Sequence, residues 1–180
     1  MNHVEFLEIG VDVDFSKLDE LTEVKLRNSL GRIYYYTYHE ALSFVSNDIE
    51  LNKLYLNLKQ TIQPTHKLLI STFAEKAKET QNKNYGKISR LLGVMHKLRC
   101  NADYDMDIIV GKNEFLSMLA QLDDLKSAAN ELNPDRFTSL VTPEKTSIIE
   151  TKIDNASIKV FKKDADVIPK KKKPSLRLLD

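Results

Sequence analysis

The chain has 180 residues, of which 42% are hydrophobic and 29% are charged, enough for one domain with an apolar core plus an appendage. A formal net charge of +1 gives no broad attraction to nucleic acid or to anionic membranes, so any basic surface must be local. The single cysteine, Cys100, excludes an internal disulfide framework and a multi-cysteine zinc site. No stretch approaches the roughly 20 apolar residues that span a bilayer, and residues 1–14 do not resemble a signal peptide. We therefore expect a soluble, cytoplasmic protein with no membrane association.

Helical periodicity dominates residues 15–133, which follow an N-terminal extension at 1–14. Apolar residues recur every three or four positions over 15–46, which predicts one long helix, or two with a break near Gly31. A polar loop is predicted at 81–85, and a turn at 101–107, where Asp and Asn side chains compete for backbone hydrogen bonds. The remaining predicted helices cover 50–61, 66–80, 86–99 and 112–132. The expected fold is all-α, a bundle of four or five helices.

The character of the chain changes after Pro134. Residues 1–133 carry 16 basic against 19 acidic side chains, whereas residues 134–180 carry 11 against 7. β-branched residues concentrate at 147–161, which favours a short hairpin or an extended segment that binds a partner by strand addition. The region 134–180 is therefore interpreted as a linker and a partly β-prone tail.

Four consecutive lysines, Lys170, Lys171, Lys172 and Lys173, lie between two prolines near the end of the chain. A run of ammonium groups between prolines does not form a packed helix, so this part of the tail is expected to be flexible. Such a run binds nucleic-acid phosphates without sequence preference, in a manner that weakens as salt rises.

The first group of candidate site residues lies in the segment Arg-Ile-Tyr-Tyr-Tyr-Thr-Tyr-His at residues 32–39. Positions seven apart return to nearly the same helix face, so Arg32 and His39 are expected to point the same way, with Tyr35 one turn from each. A cation, an imidazole and a phenol would then share one surface. The alternative interpretation is that the tyrosines are ordinary packing residues and that Arg32 is a salt-bridge partner.

A second group of polar residues lies farther along the chain. His66 begins a predicted helix, where the helix amino terminus disfavours the protonated imidazole and keeps a base available near neutral pH. His96 and Arg99 lie three residues apart on the next long helix and share a face, just before Asp103 and Tyr104. Helix termination by Asp side chains explains part of this cluster equally well.

Metal and nucleotide-hydrolysis chemistry receive little support from the sequence. No two histidines have the i, i+4 spacing of a helical zinc site, and none of the five glycines forms a phosphate-binding loop. We expect no metal and no cofactor. Cys100 is interpreted as a buried, inert thiol.

Three short segments together resemble the HEPN proteins, small helical proteins of prokaryotes. These are the arginine-tyrosine helix at 32–42, the segment at 65–73 that begins Thr-His-Lys, and Leu-Arg-Cys-Asn-Ala-Asp-Tyr-Asp at 98–105. Their order and approximate spacing match this family over residues 27–132. The resemblance implies a helical bundle, commonly a homodimer, whose polar residues line a cleft and are here Arg32, His39, His66, Arg99, Asp103 and Tyr104.

The resemblance also implies a function. Many HEPN proteins are RNases that act as toxins or antiviral effectors together with a partner protein encoded nearby. In those nucleases an arginine and a histidine lie on one helix with four to six residues between them. Arg32 and His39 meet this spacing, whereas Tyr104, Asp105 and Met106 occupy the corresponding positions after Arg99.

Two functions remain open from the sequence, beside a third interpretation in which the bundle is purely structural and its polar residues are all solvated. The first is metal-independent RNA cleavage, in which His39 or His66 removes the proton of a 2′-hydroxyl and Arg32 or Arg99 stabilises the phosphorane. Tyr35 or Tyr104 then orients the phosphate or stacks on a base. The second is a non-catalytic subunit that binds RNA, a nucleotide or a partner protein through the same cleft and the tail.

Overall fold

The computed structural model describes residues 3–13 and 20–134, and within them the chain forms helices and no strand. The helices are α1 (Val4–Val11), α2 (Glu20–Ser46), α3 (Ile49–Leu58), α4 (Thr65–Thr80), α5 (Lys83–Tyr104) and α6 (Lys112–Leu132). The expected all-α bundle is confirmed for these residues. The predicted hairpin at 147–161 and the lysine run at 170–173 lie outside them. Among the six helices, none combines the length and apolarity required to cross a membrane.

Helices α2 and α5 form the centre of the bundle. Helix α5 packs against α2, α4 and α6, while α2 also contacts α1 and α3. The two central helices contribute side chains that are almost completely excluded from solvent, and each large apolar side chain buried in this way stabilises the fold by about 1.5–3 kcal/mol. These residues include Leu30, Ile33, Tyr34, Tyr36, Ile88, Leu91, Leu92 and Met95.

The predicted N-terminal extension contains a helix of its own. Helix α1 buries Leu7 and Gly10 and packs along α2. A Cβ atom added at Gly10 would lie 2.9 Å from Cγ1 of Ile33 and 3.2 Å from the backbone nitrogen of the same residue. The absence of a side chain at Gly10 therefore allows the α1 backbone to approach α2 closely.

Helix α2 continues without a break through Gly31, where the sequence allowed either one long helix or two. It continues for 27 residues, from Glu20 to Ser46. A Cβ atom at Gly31 would lie 3.6 Å from Oδ1 of Asp103, which is ordinary contact. Gly31 thus sits opposite the end of α5 and leaves space between the two helices.

Helix α5 extends beyond the predicted helix at both ends. It begins at Lys83 because the Asn82 side chain caps it, accepting a hydrogen bond of 3.0 Å from the backbone nitrogen of Asn84. It ends at Tyr104, so the predicted loop at 81–85 is confined to 81–82 and the predicted turn at 101–107 to 105–107. The Asp and Asn residues near its end remain helical because tertiary contacts satisfy the terminal carbonyl groups.

Those tertiary contacts come from Arg27 on α2. One terminal guanidinium nitrogen of Arg27 donates to the carbonyl oxygens of Ala102 at 2.9 Å and Asp105 at 3.1 Å, and the other donates to the carbonyl of Ile108. Glu23 accepts from the Arg27 side chain and also from the backbone nitrogen of Val110, at 3.3 Å. A cation at a helix carboxyl end both satisfies carbonyls and complements the helix dipole. Arg27 therefore fixes the end of α5 and the connection to α6.

Candidate functional site where α2, α4 and α5 meet

The consecutive aromatic residues of α2 point to different neighbours, because successive side chains on a helix are rotated by about 100°. Tyr34 faces α4 and α5, where its ring lies beside His66 and His96. Tyr35 faces α1 and Arg99. Tyr36 is buried on a third side, below Lys126 of α6. One short segment of sequence therefore supplies side chains to two neighbouring polar sites and to the core.

His66 of α4 and His96 of α5, which we call the histidine pair, face each other across the first of these sites. Their ring centroids are 5.0 Å apart. Nδ1 of His66 lies 2.9 Å from the hydroxyl of Tyr34, and the ring of Tyr38 lies 4.7 Å from that of His66. In the tautomer with a proton on Nδ1, His66 donates to Tyr34 and its Nε2 is left as a base.

Both members of the histidine pair are held in the neutral form. Burial lowers the pKa of His66, and His96 and Arg99 lower it further. Burial and then Arg99 lower the pKa of His96. Burial also raises the pKa of Tyr34, so its phenol keeps its proton. The direction expected for His66 from the sequence is thus confirmed, although its causes are burial and neighbouring charge rather than the helix terminus.

Cys100 lies next to this pair. Its Sγ is 3.6 Å from Nε2 of His96, and the residue is half-buried. The sequence predicted a buried thiol, and this prediction is wrong because Cys100 is only partly buried. Its side chain points toward His96 rather than into the apolar core.

Arg99 lies between the histidine pair and a second polar site, which Tyr35 and Asp103 line. Only 8% of the residue is exposed. One terminal nitrogen donates to the Tyr35 hydroxyl at 2.9 Å, and Nε lies 2.7 Å from Oδ2 of Asp103, one helical turn away. The guanidinium carbon also lies 5.3 Å from the ring centroid of Tyr35 and 4.9 Å from that of Tyr104. These contacts fix the orientation of Arg99 and leave its Nη1 unused by Tyr35 and Asp103.

The second site is an open cavity of about 430 Å³, which we call the α1–α2 cleft. Arg32 stacks on Phe6 of α1, with the guanidinium carbon 5.4 Å from the ring centroid, and its Nε donates to Oδ1 of Asn28 at 3.4 Å. His39 is exposed overall, but its partial burial lowers the pKa of its imidazole, and the nearby His3 lowers it further. The cleft is lined by Phe6, Asn28, Gly31, Arg32, Tyr35, His39 and Asp103.

Comparison with known proteins adds no family assignment. No protein-family model, curated protein or solved structure matches this chain. The assignment of site residues therefore depends on geometry. In the described part of the chain, no three His, Cys, Asp or Glu side chains form a group placed to hold a metal ion.

The structure brings together most of the candidates from the sequence. Arg32 and His39 line one cleft, as their spacing predicts, and Tyr35 and Asp103 line it too. Tyr35 and Asp103 also contact Arg99. Two candidates lie at the margins: His66 belongs to the histidine pair, and Tyr104 is 72% exposed beside Arg99. Lys170, Lys171, Lys172 and Lys173 lie outside the described residues.

Sequence reasoning did not select three residues that shape the site. The sequence indicated that His96 shares a helix face with Arg99, but no sequence pattern indicated that it lies beside His66 of another helix. Tyr34 was one of several similar tyrosines. Arg27 resembled an ordinary charge on an exposed helix face, because its contacts with the end of α5 span more than 70 residues of sequence.

Proposed function

We propose that this chain is an RNA-directed component of a bacterial or phage conflict system and that it cleaves RNA at the histidine pair without a metal ion. One observation carries the proposal: two histidines with lowered pKa values face each other beside an oriented arginine. A neutral imidazole accepts a proton near physiological pH, and a fixed guanidinium stabilises a phosphorane. The resemblance to HEPN proteins provides independent support for RNA as the substrate.

The reaction is a transesterification within the RNA strand. Nε2 of His66 accepts the proton of a ribose 2′-hydroxyl, and O2′ forms a bond to the adjacent phosphorus. Nη1 of Arg99 donates to the phosphorane oxygens as the P–O5′ bond breaks. The histidine pair then returns one proton to O5′. The products are a 2′,3′-cyclic phosphate and a 5′-hydroxyl, and the proton count of the enzyme is unchanged.

Tyr34 and Asp103 act as positioning residues in this scheme. The Tyr34 hydroxyl sets the ring orientation of His66, at 2.9 Å from Nδ1. Asp103 holds Nε of Arg99, at 2.7 Å from Oδ2. Because neither group is placed to touch the reacting atoms, the loss of either is expected to slow cleavage less than the loss of His66 or Arg99.

A second candidate function is a non-catalytic subunit that docks on a partner protein. Large apolar or aromatic side chains at the end of α5 and in the connection after it are exposed, with Tyr104 at 72%, Met106 at 78% and Ile109 at 80%. Asp103 also neutralises much of the Arg99 charge that a phosphate needs. Under this alternative, the same surface binds a partner encoded nearby, or a second copy in a homodimer.

A cleavage assay on a labelled single-stranded RNA and on total tRNA, in EDTA, separates the two functions. The purified chain is compared with His66→Ala, Arg99→Ala and the matched control Arg90→Ala, since Arg90 is exposed on the same helix. We expect cleavage by the native chain and by Arg90→Ala, with a loss of at least a hundredfold in the other two variants. Absence of cleavage by the native chain, or equal cleavage by all variants, would contradict the nuclease proposal.

A further inference from the structure

The α1–α2 cleft lies beside the proposed cleavage site but has a chemistry of its own. Its volume of about 430 Å³ falls at the lower end of the range of small-ligand sites, so it suits one compact ligand. Arg32 and His39 line the cleft and have no role in the proposed cleavage. A ligand of this cleft would therefore be bound by residues other than those that carry out the reaction at the histidine pair.

Arg32 provides a binding group for an anion. Its guanidinium is held in place by stacking on Phe6 and by one hydrogen bond from Nε to Asn28. Among the residues that the structure describes, no hydrogen bond or ion pair occupies its two terminal nitrogens. An arginine fork with free terminal nitrogens fits two oxygens of a phosphate group.

The other charges of the cleft limit how much negative charge a ligand can bring. Asp103 lines the same cleft as Arg32, and its Oδ1 would lie 3.6 Å from a Cβ at Gly31. Its carboxylate is paired with Arg99. Burial and His3 lower the pKa of His39, so the imidazole adds no second cation at neutral pH. Because Arg99 already pairs with Asp103, Arg32 is the one cation among the described residues lining the cleft that is available to a phosphate, and no second cation there is available for a second phosphate.

The rest of the lining matches the uncharged parts of a nucleotide. The rings of Phe6 and His39 are nearly parallel, at 12°, with centroids 6.4 Å apart, and the ring of Tyr35 lies 6.3 Å from that of Phe6. Flat rings of this kind stack on nucleobases. A carboxylate such as Asp103 accepts hydrogen bonds from ribose hydroxyls or from base amino groups.

We propose that the α1–α2 cleft binds one nucleotide unit that carries a single phosphate, with the phosphate on Arg32 and the base against the Phe6 and His39 rings. The unit is either a free nucleoside 5′-monophosphate or one nucleotide of an RNA strand. The two sources share this chemistry and differ only in the continuation of the chain. The inference goes beyond the proposed cleavage and does not depend on it.

Calorimetric binding to the full chain tests the proposal without any cleavage step. The ligands are 5′-AMP, ATP, adenosine and a 2′-fluoro tetraadenylate, which lacks the nucleophilic hydroxyl. Saturable binding of AMP points to a free nucleotide, and binding of the tetraadenylate alone points to a strand. In both cases we expect Arg32→Ala to weaken binding about tenfold or more. ATP should bind no more tightly than AMP, and adenosine more weakly.

Two further variants separate an effect on ligand binding from an effect on folding. Arg90→Ala removes an exposed arginine outside the cleft and should leave binding unchanged. Gly31→Leu adds a side chain at a buried position beside Asp103, where it should fill the cleft and abolish binding, and urea denaturation of this variant checks that it folds. The proposal is overturned if neither AMP nor the tetraadenylate binds, if Arg32→Ala binds as the native chain does, or if ATP binds at least tenfold more tightly than AMP. None of these results bears on RNA cleavage at the histidine pair.

Discussion

Arg99 is the residue through which the histidine pair and the α1–α2 cleft are linked. Its guanidinium bonds to Tyr35 and pairs with Asp103, both of which line the cleft. Its charge also lowers the pKa of both histidines. A change at Arg99 is therefore expected to alter proton affinity at a distance, apart from any effect on phosphate binding.

We predict that Arg99→Gln raises the pKa of His66 and of His96 toward the ordinary value of 6.5, because it removes a nearby positive charge while keeping a polar side chain. The measurement is an NMR titration of the histidine ring protons, which requires no activity. The control is Arg90→Gln on the exposed side of the same helix. Unchanged titration midpoints in Arg99→Gln would show that the guanidinium does not govern the protonation of the pair.

At the scale of the helices, the end of α5 depends on a side chain of α2. Arg27 donates to the last carbonyls of α5 and to the following connection, and Glu23 completes this network. Because Arg99, Asp103 and Tyr104 all lie within the last two turns of α5, the geometry of the site depends on this contact.

We predict that Arg27→Ala destabilises the fold by about 2–3 kcal/mol, since several backbone carbonyls lose a charged donor at once. The effect should be visible in urea denaturation and as faster amide exchange at 101–104. Lys25→Ala, on the exposed part of the same helix, is the matched control. Equal stability of the two variants would mean that the end of α5 is held by other contacts.

Helix α1 is positioned by the absence of a side chain at Gly10. A Cβ there would come within 2.9 Å of Ile33 and 3.2 Å of Arg32, whereas a Cβ at Gly93 would have no neighbour within 4 Å. We predict that Gly10→Ala weakens the packing of α1 and lowers both stability and nucleotide binding in the cleft. Gly93→Ala should instead stabilise α5 by about 0.5–1 kcal/mol. Thermal denaturation of both variants checks the contrast, and a stabilised Gly10→Ala would contradict the close approach.

At the scale of the whole molecule, three histidines make stability depend on pH. The pKa values of His39, His66 and His96 are each lowered below 6.5 in the fold. The unfolded chain then binds more protons than the folded chain as pH falls from 6.5 through these lowered values. The stabilising effect of the neutral histidines is fully present above pH 6.5 and is lost in that window.

We therefore predict that the urea midpoint is steady near pH 7 and falls as the pH is lowered toward 5.5. The His66→Gln and His96→Gln variants should show a shallower fall, because each removes one group whose protonation opposes folding. An equal or higher midpoint at pH 5.5 in the native chain would contradict the lowered pKa values.

The helices themselves could be predicted from the sequence, because their apolar periodicity reports burial directly. The errors fall where distant contacts decide the local structure. Residues 101–104 favour a turn when considered alone, but Arg27 keeps them helical. The first helix was missed because its packing depends on the space left at Gly10.

The candidate site could be predicted only in part, for a related reason. Spacing on one helix placed Arg32 with His39, and His96 with Arg99. The pairing of His66 with His96 joins α4 to α5, and that contact follows from the packing of the bundle rather than from any local pattern. The same holds for the hydrogen bond between Arg99 and Tyr35 across 64 residues.

The most direct test of RNA cleavage at the histidine pair compares a single-stranded RNA with its fully 2′-O-methylated analogue, both incubated with the native chain in EDTA. Mass spectrometry then identifies the ends of the fragments. We predict that only the unmodified RNA is cleaved and that its fragments carry 2′,3′-cyclic phosphates and 5′-hydroxyls, because the reaction uses the 2′-hydroxyl as nucleophile. Cleavage of both strands, or fragments with 3′-hydroxyl and 5′-phosphate ends, or no cleavage at all, would contradict the proposed mechanism.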